Sequence, residues 1–166
     1  MAGAREGLVV GVIGGEQADE VHAELAYEVG RELGARGHTL VCGGRGGVMR
    51  EACRGARETG GLTVGILPGD DARDANEFVD VPVVTGLGFA RNTIIARTAE
   101  ALVAVDGSYG TLSEIAFGLI AGRPIVALGS WELRDGAGRE APVLRAQSAR
   151  EAVDACERLA ARARGG

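Results

Sequence analysis

The sequence predicts an α/β fold in which an open, doubly wound and mostly parallel sheet carries helices on both faces. Two patterns predict this fold. Short apolar runs rich in β-branched residues recur along the chain, and segments with helical spacing of apolar residues separate them. Strands that alternate with helices are joined by crossovers and lie parallel. The chain has 166 residues, enough for one domain with a sizeable core, so we expect a single domain over residues 1–166.

The predicted strands are continuously apolar, as expected of strands that are buried on both faces. In chain order they cover residues 8–13, 39–42, 63–67, 101–105 and 124–128, with a further short strand within residues 79–84. A glycine follows each of the five longer runs within two residues. Each of these strands is therefore expected to end in a turn or loop that uses the conformational freedom of glycine.

The predicted helices lie between these strands. In chain order they cover residues 19–36, 48–58, 90–98, 112–121 and 149–164. The first helix has apolar residues four positions apart from Val21 to Leu33, and Gly37 ends it. The last helix opens with Ser148 and Glu151 at the spacing of a capping box. Residues 131–142 are polar and without a pattern, which predicts a surface loop.

Composition excludes several kinds of chemistry. All 18 basic residues are arginines, so a lysine Schiff base with pyridoxal phosphate and a Walker-type phosphate-loop lysine are both impossible. A formal net charge of −5 argues against a nucleic-acid partner. Neither the three cysteines nor the two histidines have metal-ligand spacing, so we expect no metal site. No apolar stretch approaches the roughly 18 residues that span a membrane, and we expect a cytoplasmic protein.

Glycine is the most unusual component, with 28 residues in the chain. Three glycine-rich segments follow predicted strands, where ligands of open α/β sheets bind. They are Gly14-Gly15, the segment from Gly43 to Met49 and the segment from Asp106 to Glu114. Glycine lets the backbone approach a phosphate, and the N–H groups of a following helix favour negative charge. For Gly14-Gly15, a tight turn without ligand contact is an open alternative. The G-x-G-x-x-G fingerprint fits none of them, which disfavours NAD.

These segments carry a resemblance to a known superfamily. GGRGGVM at 43–49, GLGFARN at 86–92 and DGSYGTLSE at 106–114 resemble the LOG (lonely guy) superfamily, in order and in spacing, over roughly residues 8–130. That superfamily contains cytokinin-activating nucleoside 5′-monophosphate phosphoribohydrolases, proteins once mislabelled as lysine decarboxylases, and molybdenum-cofactor carriers. With GILPGDD at 65–71, the chain is most similar to a short bacterial branch near the carriers. The resemblance implies a Rossmann-like nucleotide-binding domain that forms a homodimer or a larger homo-oligomer.

The motif of the phosphoribohydrolases is only partly kept. The chain matches it at Gly107, Gly110, Thr111 and Glu114, and at the upstream arginine, Arg91. The chain departs from it at Asp106, Ser108 and Asn92, where the hydrolases have proline, glycine and lysine. If the protein is a hydrolase, the resemblance implies Arg91 and Glu114 as its catalytic residues. The departures weaken the case for catalysis more than the case for binding.

The expected binding residues lie in the three glycine-rich segments and at the start of the third predicted helix. They are Gly14, Gly15, Gly43, Gly44, Arg45, Gly46, Gly47, Met49, Arg91, Asn92, Asp106, Gly107, Ser108, Tyr109, Gly110, Thr111 and Glu114. Four of them have an ordinary structural alternative. Glu114 could form a capping box with Thr111, Arg91 a salt bridge, Arg45 part of the surface, and Met49 part of the core.

We therefore expect a protein that binds a phosphate-bearing nucleotide or nucleotide-like cofactor, with little or no catalysis and no cofactor required. An AMP-like nucleotide and a molybdopterin-type cofactor are the candidate ligands. The alternative is a phosphoribohydrolase that releases free base and ribose 5-phosphate from a nucleoside 5′-monophosphate. Phe89 and Tyr109 are the candidate residues for stacking against the base or pterin.

Overall fold

Seven strands form one parallel sheet in the computed structural model, which describes residues 7–165. The strands are β1 (Val9–Gly14), β2 (Thr39–Cys42), β3 (Thr63–Leu67), β4 (Val81–Val84), β5 (Ala101–Val105), β6 (Ile125–Leu128) and β7 (Val143–Arg145). Their order is β4-β3-β2-β1-β5-β6-β7, and every neighbouring pair is parallel. The chain winds outward from β1 to one edge, returns to the middle and continues to the other edge. This confirms the predicted doubly wound α/β fold.

Five helices cover the two faces of this sheet. They are α1 (Glu20–Ala35), α2 (Val48–Glu58), α3 (Asn92–Thr98), α4 (Tyr109–Ile120) and α5 (Ala149–Arg164). Helices α1, α2 and α5 pack on one face, and α3 and α4 pack on the other. Successive side chains of a strand point to opposite faces. Val10 and Val12 of β1 therefore join the first core, whereas Val9 and Ile13 join the second.

Among the elements near the glycine-rich loops, α4 has the start that differs most from the sequence prediction. It begins at Tyr109, three residues before the predicted start at residue 112. Helix α3 begins at Asn92, because Gly88–Arg91 form a separate 3-10 turn where the helix was predicted to start at residue 90. Both helices therefore begin at a predicted binding residue, α3 at Asn92 and α4 at Tyr109. Tyr109, Gly110 and Thr111 consequently form the first turn of α4.

Strand β7 was not predicted, because three residues at a sheet edge are too few to show a period. Residues 131–142 form the predicted loop, with one antiparallel bridge between Arg134 and Glu140. At the start of α5, Ser148 Oγ accepts the Glu151 N–H at 3.2 Å, as predicted. The Glu151 carboxylate accepts the N–H of Gln147 at 2.8 Å, one residue before the N–H expected for a capping box.

Two further observations concern the described residues. Cys42, Cys53 and Cys156 are free and buried in the core. Within residues 7–165, none of the helices combines the length and the apolar character that crossing a membrane requires.

Candidate functional site

The site lies where the winding direction of the sheet reverses, between β1 and β5. Loops after such neighbouring strands diverge and leave a crevice at the carboxyl ends of the strands. A cavity of about 80 Å³ lies there. Its lining residues are Ile13, Gly14, Glu16, Met49, Phe89, Arg91, Asn92, Ser108, Gly110, Thr111 and Glu114. Eight of these eleven belong to the predicted binding set.

The start of α4 forms one wall of the cavity. Ser108 is its N-cap residue, but its side chain makes no capping hydrogen bond. The first N–H groups of an α-helix have no partner within the helix, and the positive end of the helix dipole lies with them. Ser108 and Gly110 line the cavity. This wall is therefore suited to an anion.

Thr111 lies inside the first turn of α4, so the proposed capping box of Thr111 and Glu114 is wrong. Because α4 starts earlier, Ser108 takes the N-cap position instead. Thr111 is 1% exposed, and its Oγ1 has no hydrogen-bond partner among the residues that the structure describes. Glu114 is 5% exposed and lines the same cavity one turn further along the helix. Thr111 and Glu114 therefore line the cavity and do not form a cap at the start of the helix.

Arg91 forms the opposite wall from the last position of the 3-10 turn Gly88–Arg91. Its side chain is buried, at 8% exposure, and its Nη1 donates a hydrogen bond to Asn92 Oδ1. Its Nε–H is buried without a partner, and no carboxylate of residues 7–165 forms an ion pair with it. The salt-bridge interpretation of Arg91 is therefore wrong for the described part of the chain.

Asn92 connects the two walls. Its Nδ2 donates to Ser113 Oγ at 3.0 Å, and the Ser113 hydroxyl donates to the Gly110 carbonyl at 2.6 Å. The Asn92 side chain is thus hydrogen-bonded on one side to Arg91 and on the other to α4. The position that holds lysine in the phosphoribohydrolases is used here to orient the arginine against the helix start.

Burial sets the charge of the cavity. Burial raises the pKa of Glu114 to about 8, although the Arg91 guanidinium acts in the opposite direction. Burial also lowers the pKa of Arg91, an effect that Glu114 opposes, but a guanidinium in a protein stays protonated. Glu16 pairs with Arg45 at 3.1 Å, so these two charges offset each other. At neutral pH the Glu114 carboxyl is mostly protonated, and Arg91 leaves the cavity with a positive charge.

Only two of the predicted glycines, Gly14 and Gly110, line the cavity, and close packing between the loops explains several of the glycines. A Cβ on Gly14 would lie 2.5 Å from Val48 Cγ1, and one on Gly47 would lie 2.5 Å from the carbonyl carbon of Glu16. The Val48 N–H donates to the Gly15 carbonyl at 3.0 Å, which joins the first loop to the second. Gly43 is different, because a Cβ there would lie 2.7 Å from Nη2 of Arg91. Gly43 therefore leaves room for the arginine.

Nine predicted residues do not line the cavity. They are Gly15, Gly43, Gly44, Arg45, Gly46, Gly47, Asp106, Gly107 and Tyr109. Asp106 follows β5 with a positive φ of 57°, and its Oδ2 lies 3.8 Å from where a Cβ on Gly15 would be. Its carboxylate thus faces the first loop. Met49 is 7% exposed and belongs to the core, and it also lines the cavity.

Trp131 is a residue near the site that the sequence did not reveal. Its ring stacks on Tyr109, with centroids 6.0 Å apart and an interplanar angle of 29°. Its Nε1–H donates to the Ser108 carbonyl at 3.2 Å. Trp131 lies in an irregular loop after β6, and no motif connects it to the glycine-rich segments. Ile13 and Glu16 were also missed, because they lie next to the glycine motif and not within it.

Metal-binding side chains do not gather at this site. Over residues 7–165 the structure has no group of three or more histidine, cysteine, aspartate or glutamate side chains placed to hold a metal ion. Cys42 ends β2 directly before Gly43, with its sulfur 3.5 Å from that of Cys53. The Gly44 N–H donates to the Cys42 sulfur at 3.3 Å, which helps to fix the second loop.

Comparisons with known proteins agree with this architecture. A family model described as LDcluster4, the SLOG cluster4 family, matches residues 7–157. The structure of the molybdenum cofactor binding protein from the phototrophic bacterium Rippkaea orientalis aligns with a TM-score of 0.83 at 33% identity, over 92% of this chain and 97% of that one. The Moco carrier protein from Chlamydomonas reinhardtii aligns with a TM-score of 0.82 at 37% identity, over 95% and 99%. The cytokinin riboside 5′-monophosphate phosphoribohydrolase of Mycobacterium tuberculosis is 34% identical over 131 residues, which are 72% of this chain and 70% of that protein.

Proposed function

The chain belongs to the SLOG cluster4 family within the LOG-like superfamily, and we propose that it binds a phosphate-bearing, nucleotide-like cofactor with little or no catalysis. The cofactor is of the molybdopterin type, as in the carriers that are similar to this chain. Its phosphate binds at the start of α4, between Ser108 and Arg91.

One observation carries the proposal: a buried arginine without a carboxylate partner faces an uncapped helix start. A buried charge without a partner costs several kcal/mol, so such groups are normally paired. Arg91 Nε and Thr111 Oγ1 both lack partners within the described chain. A phosphate offers acceptor oxygens to both groups and negative charge to the helix dipole.

The size of the cavity fits part of such a ligand. At about 80 Å³ it is far smaller than the roughly 300–1,000 Å³ of pockets that enclose a whole small molecule. It has room for a phosphate group, whereas a pterin or purine ring would lie at its mouth. This arrangement suits a carrier, which holds its cargo by the phosphate and does not need to surround the rest.

A second function, hydrolysis of a nucleoside 5′-monophosphate, is favoured by one observation. Arg91 and Glu114 line the same cavity, and they match the residues that the superfamily resemblance implies as a catalytic pair. The pKa of about 8 counts against this function at neutral pH, because a protonated Glu114 does not stabilise positive charge on a ribose. A hydrolase that uses this carboxylate would gain activity as the pH rises through about 8.

Binding and turnover can be measured on the same set of proteins. We expect calorimetry to detect binding of AMP and of ribose 5-phosphate to the wild type. Arg91→Ala should weaken the affinity for both ligands by about tenfold or more. We expect chromatography to find no base released from AMP or isopentenyl-AMP. Arg162→Ala, which removes an exposed arginine of α5, is the matched control and should bind normally. Base release that disappears in both Arg91→Ala and Glu114→Gln would instead support the hydrolase.

The expected homodimer or larger assembly and the expected cytoplasmic location stay predictions.

A further inference from the structure

We infer that the planar ring system of the ligand stacks on the side chain of Phe89. This inference rests on the proposed function and extends it, because it names the residue that distinguishes a heteroaromatic ligand from a simple sugar phosphate.

Phe89 is an apolar side chain that the fold leaves in solvent. It is 83% exposed, although it lies only two residues before the buried Arg91. Its backbone is anchored, since the Gly88 N–H donates to the Pro68 carbonyl at 2.9 Å and the Ala90 N–H donates to the Leu87 carbonyl at 3.2 Å. An anchored turn therefore presents the ring outward without contributing it to either core.

The exposed ring lies at the candidate phosphate site. Phe89 lines the same cavity as Arg91 and Ser108. A ligand that places its phosphate against Arg91 must extend through the mouth of this cavity, because the cavity holds little more than the phosphate. The part of the ligand that follows the phosphate therefore passes Phe89.

Phe89 also differs from the other aromatic residues near the site. Tyr109, 82% exposed, already stacks on Trp131, and Trp131 donates a hydrogen bond to Ser108. Within residues 7–165, no aromatic ring and no arginine stacks on Phe89. Its face is thus available, whereas the Tyr109–Trp131 pair supports the Ser108 loop.

Stacking suits this residue better than polar recognition does. A phenylalanine has no hydrogen-bonding group, so it selects ligands by the area and the π-face that they offer. Truncation of a stacking residue to alanine weakens the binding of a base by roughly 5- to 150-fold in nucleic-acid complexes. The ligand class is therefore a phosphate ester that carries a planar heterocycle, either purine or pterin.

The test compares ligands with and without a ring. Calorimetry would measure the affinities of AMP, neopterin monophosphate and ribose 5-phosphate for the wild type, Phe89→Ala, Phe89→Tyr and Leu87→Ala. We expect Phe89→Ala to weaken the binding of at least one of the two ring-bearing ligands by roughly 5- to 150-fold and to leave the affinity for ribose 5-phosphate unchanged. Phe89→Tyr keeps an aromatic ring at this position, so it should keep the wild-type affinities for the ring-bearing ligands. Leu87→Ala removes a neighbouring exposed apolar side chain outside the cavity and should change nothing.

Each other outcome overturns the inference in a distinct way. If Phe89→Ala changes all three affinities equally, or none of them, while ribose 5-phosphate still binds the wild type, the stacking role fails and the proposed function stands. If the wild type binds none of the three ligands, both fail. If Phe89→Ala changes the oligomeric mass but not the affinities, the ring belongs to a contact between copies of the chain.

Discussion

Thr111 and Arg91 each bury one polar atom that no group in residues 7–165 satisfies. A buried donor or acceptor without a partner costs about 1–3 kcal/mol. The protein therefore gives up stability at two positions in the lining of one cavity. A ligand that supplies hydrogen-bond acceptors to both groups recovers that cost, so the same two atoms influence both the stability of the protein and its affinity for the ligand.

Replacement of Thr111 by valine separates these two effects. The variant removes the partnerless hydroxyl and keeps a branched side chain, so we expect the free energy of unfolding to stay unchanged or to rise. Ribose 5-phosphate should bind more weakly, by about 1 kcal/mol, because one hydrogen bond to the phosphate is lost. Urea unfolding and calorimetry measure the two quantities. A loss of stability with unchanged affinity would mean that the hydroxyl serves the fold.

Glu114 makes the stability of the protein depend on pH. Its pKa in the folded protein, about 8, lies above its ordinary value of 4.5, so the folded state binds the proton more tightly than the unfolded chain does. The contribution of Glu114 to stability is therefore fully present below about pH 4.5 and is lost as the pH rises to about 8. Glu114→Gln removes this loss.

We expect Glu114→Gln to be close to the wild type in unfolding free energy at about pH 5 and to be more stable at about pH 8. Urea unfolding of both proteins at the two pH values tests this, and the difference between them isolates Glu114 from other titrating groups. A difference that does not depend on pH would contradict the raised pKa.

Single residues were predicted unevenly from the sequence. Arg91 and Glu114 came from motif positions, and both line the cavity. The role of Thr111 as a helix cap was wrong, because helix spacing alone does not fix where a helix starts in a sequence such as Ser-Tyr-Gly-Thr. Trp131 carried no signal, since its contact with Ser108 joins positions 23 residues apart through a loop without regular structure.

At the scale of elements, the glycine-rich loops combine two functions that look alike in the sequence. Gly47 has a φ of 57° and lies against the backbone of the first loop, so it is required by the fold. A Cβ on Gly43 would instead lie 2.7 Å from Arg91 Nη2 and 2.8 Å from Met49 Sδ, which are the ends of two flexible side chains. The sequence placed both glycines in one ligand-binding segment, because only the packing of neighbouring loops distinguishes them.

Alanine should lower stability at Gly47 and weaken phosphate binding at Gly43. Gly47→Ala forces a left-handed conformation on a side-chain-bearing residue and crowds Glu16, so we expect a loss of about 1–3 kcal/mol in unfolding free energy. Gly43→Ala should leave stability nearly unchanged, because flexible side chains can move, but it should weaken phosphate binding by displacing Arg91. Urea unfolding and calorimetry on the pair decide this. Equal losses of stability would contradict the distinction.

Helix and strand periods predicted most of the elements. Strands β1, β2, β3, β5 and β6 and helices α1, α2 and α5 lie within one or two residues of their predicted bounds. The exceptions lie beside the site or at an edge. Gly110 has a poor helix propensity, so the apolar pattern placed the start of α4 too late. The edge strand β7 is too short for any period to reveal it.

At the scale of the whole molecule, the site depends on a pairing that the sequence does not encode locally. Strands β1 and β5 are neighbours, with Gly14 paired to Val105, although about ninety residues separate them in the chain. Alternation of strands and helices predicts a doubly wound sheet but not the position of its reversal point. That point brings the first loop, Arg91 and the start of α4 around one cavity. The resemblance to the LOG superfamily predicts the same grouping of loops and residues from the order of the motifs alone.

The proposed function requires a phosphate to bind at the start of α4 beside Arg91. This claim is tested by titrating the isotope-labelled protein with ribose 5-phosphate and recording its backbone amide NMR spectrum. We expect the largest shifts at the amides of Tyr109, Gly110 and Thr111, with saturation, and we expect these shifts to be strongly reduced in Arg91→Ala. Saturable shifts that are confined to another surface, or shifts at α4 that persist unchanged in Arg91→Ala, would contradict the claim.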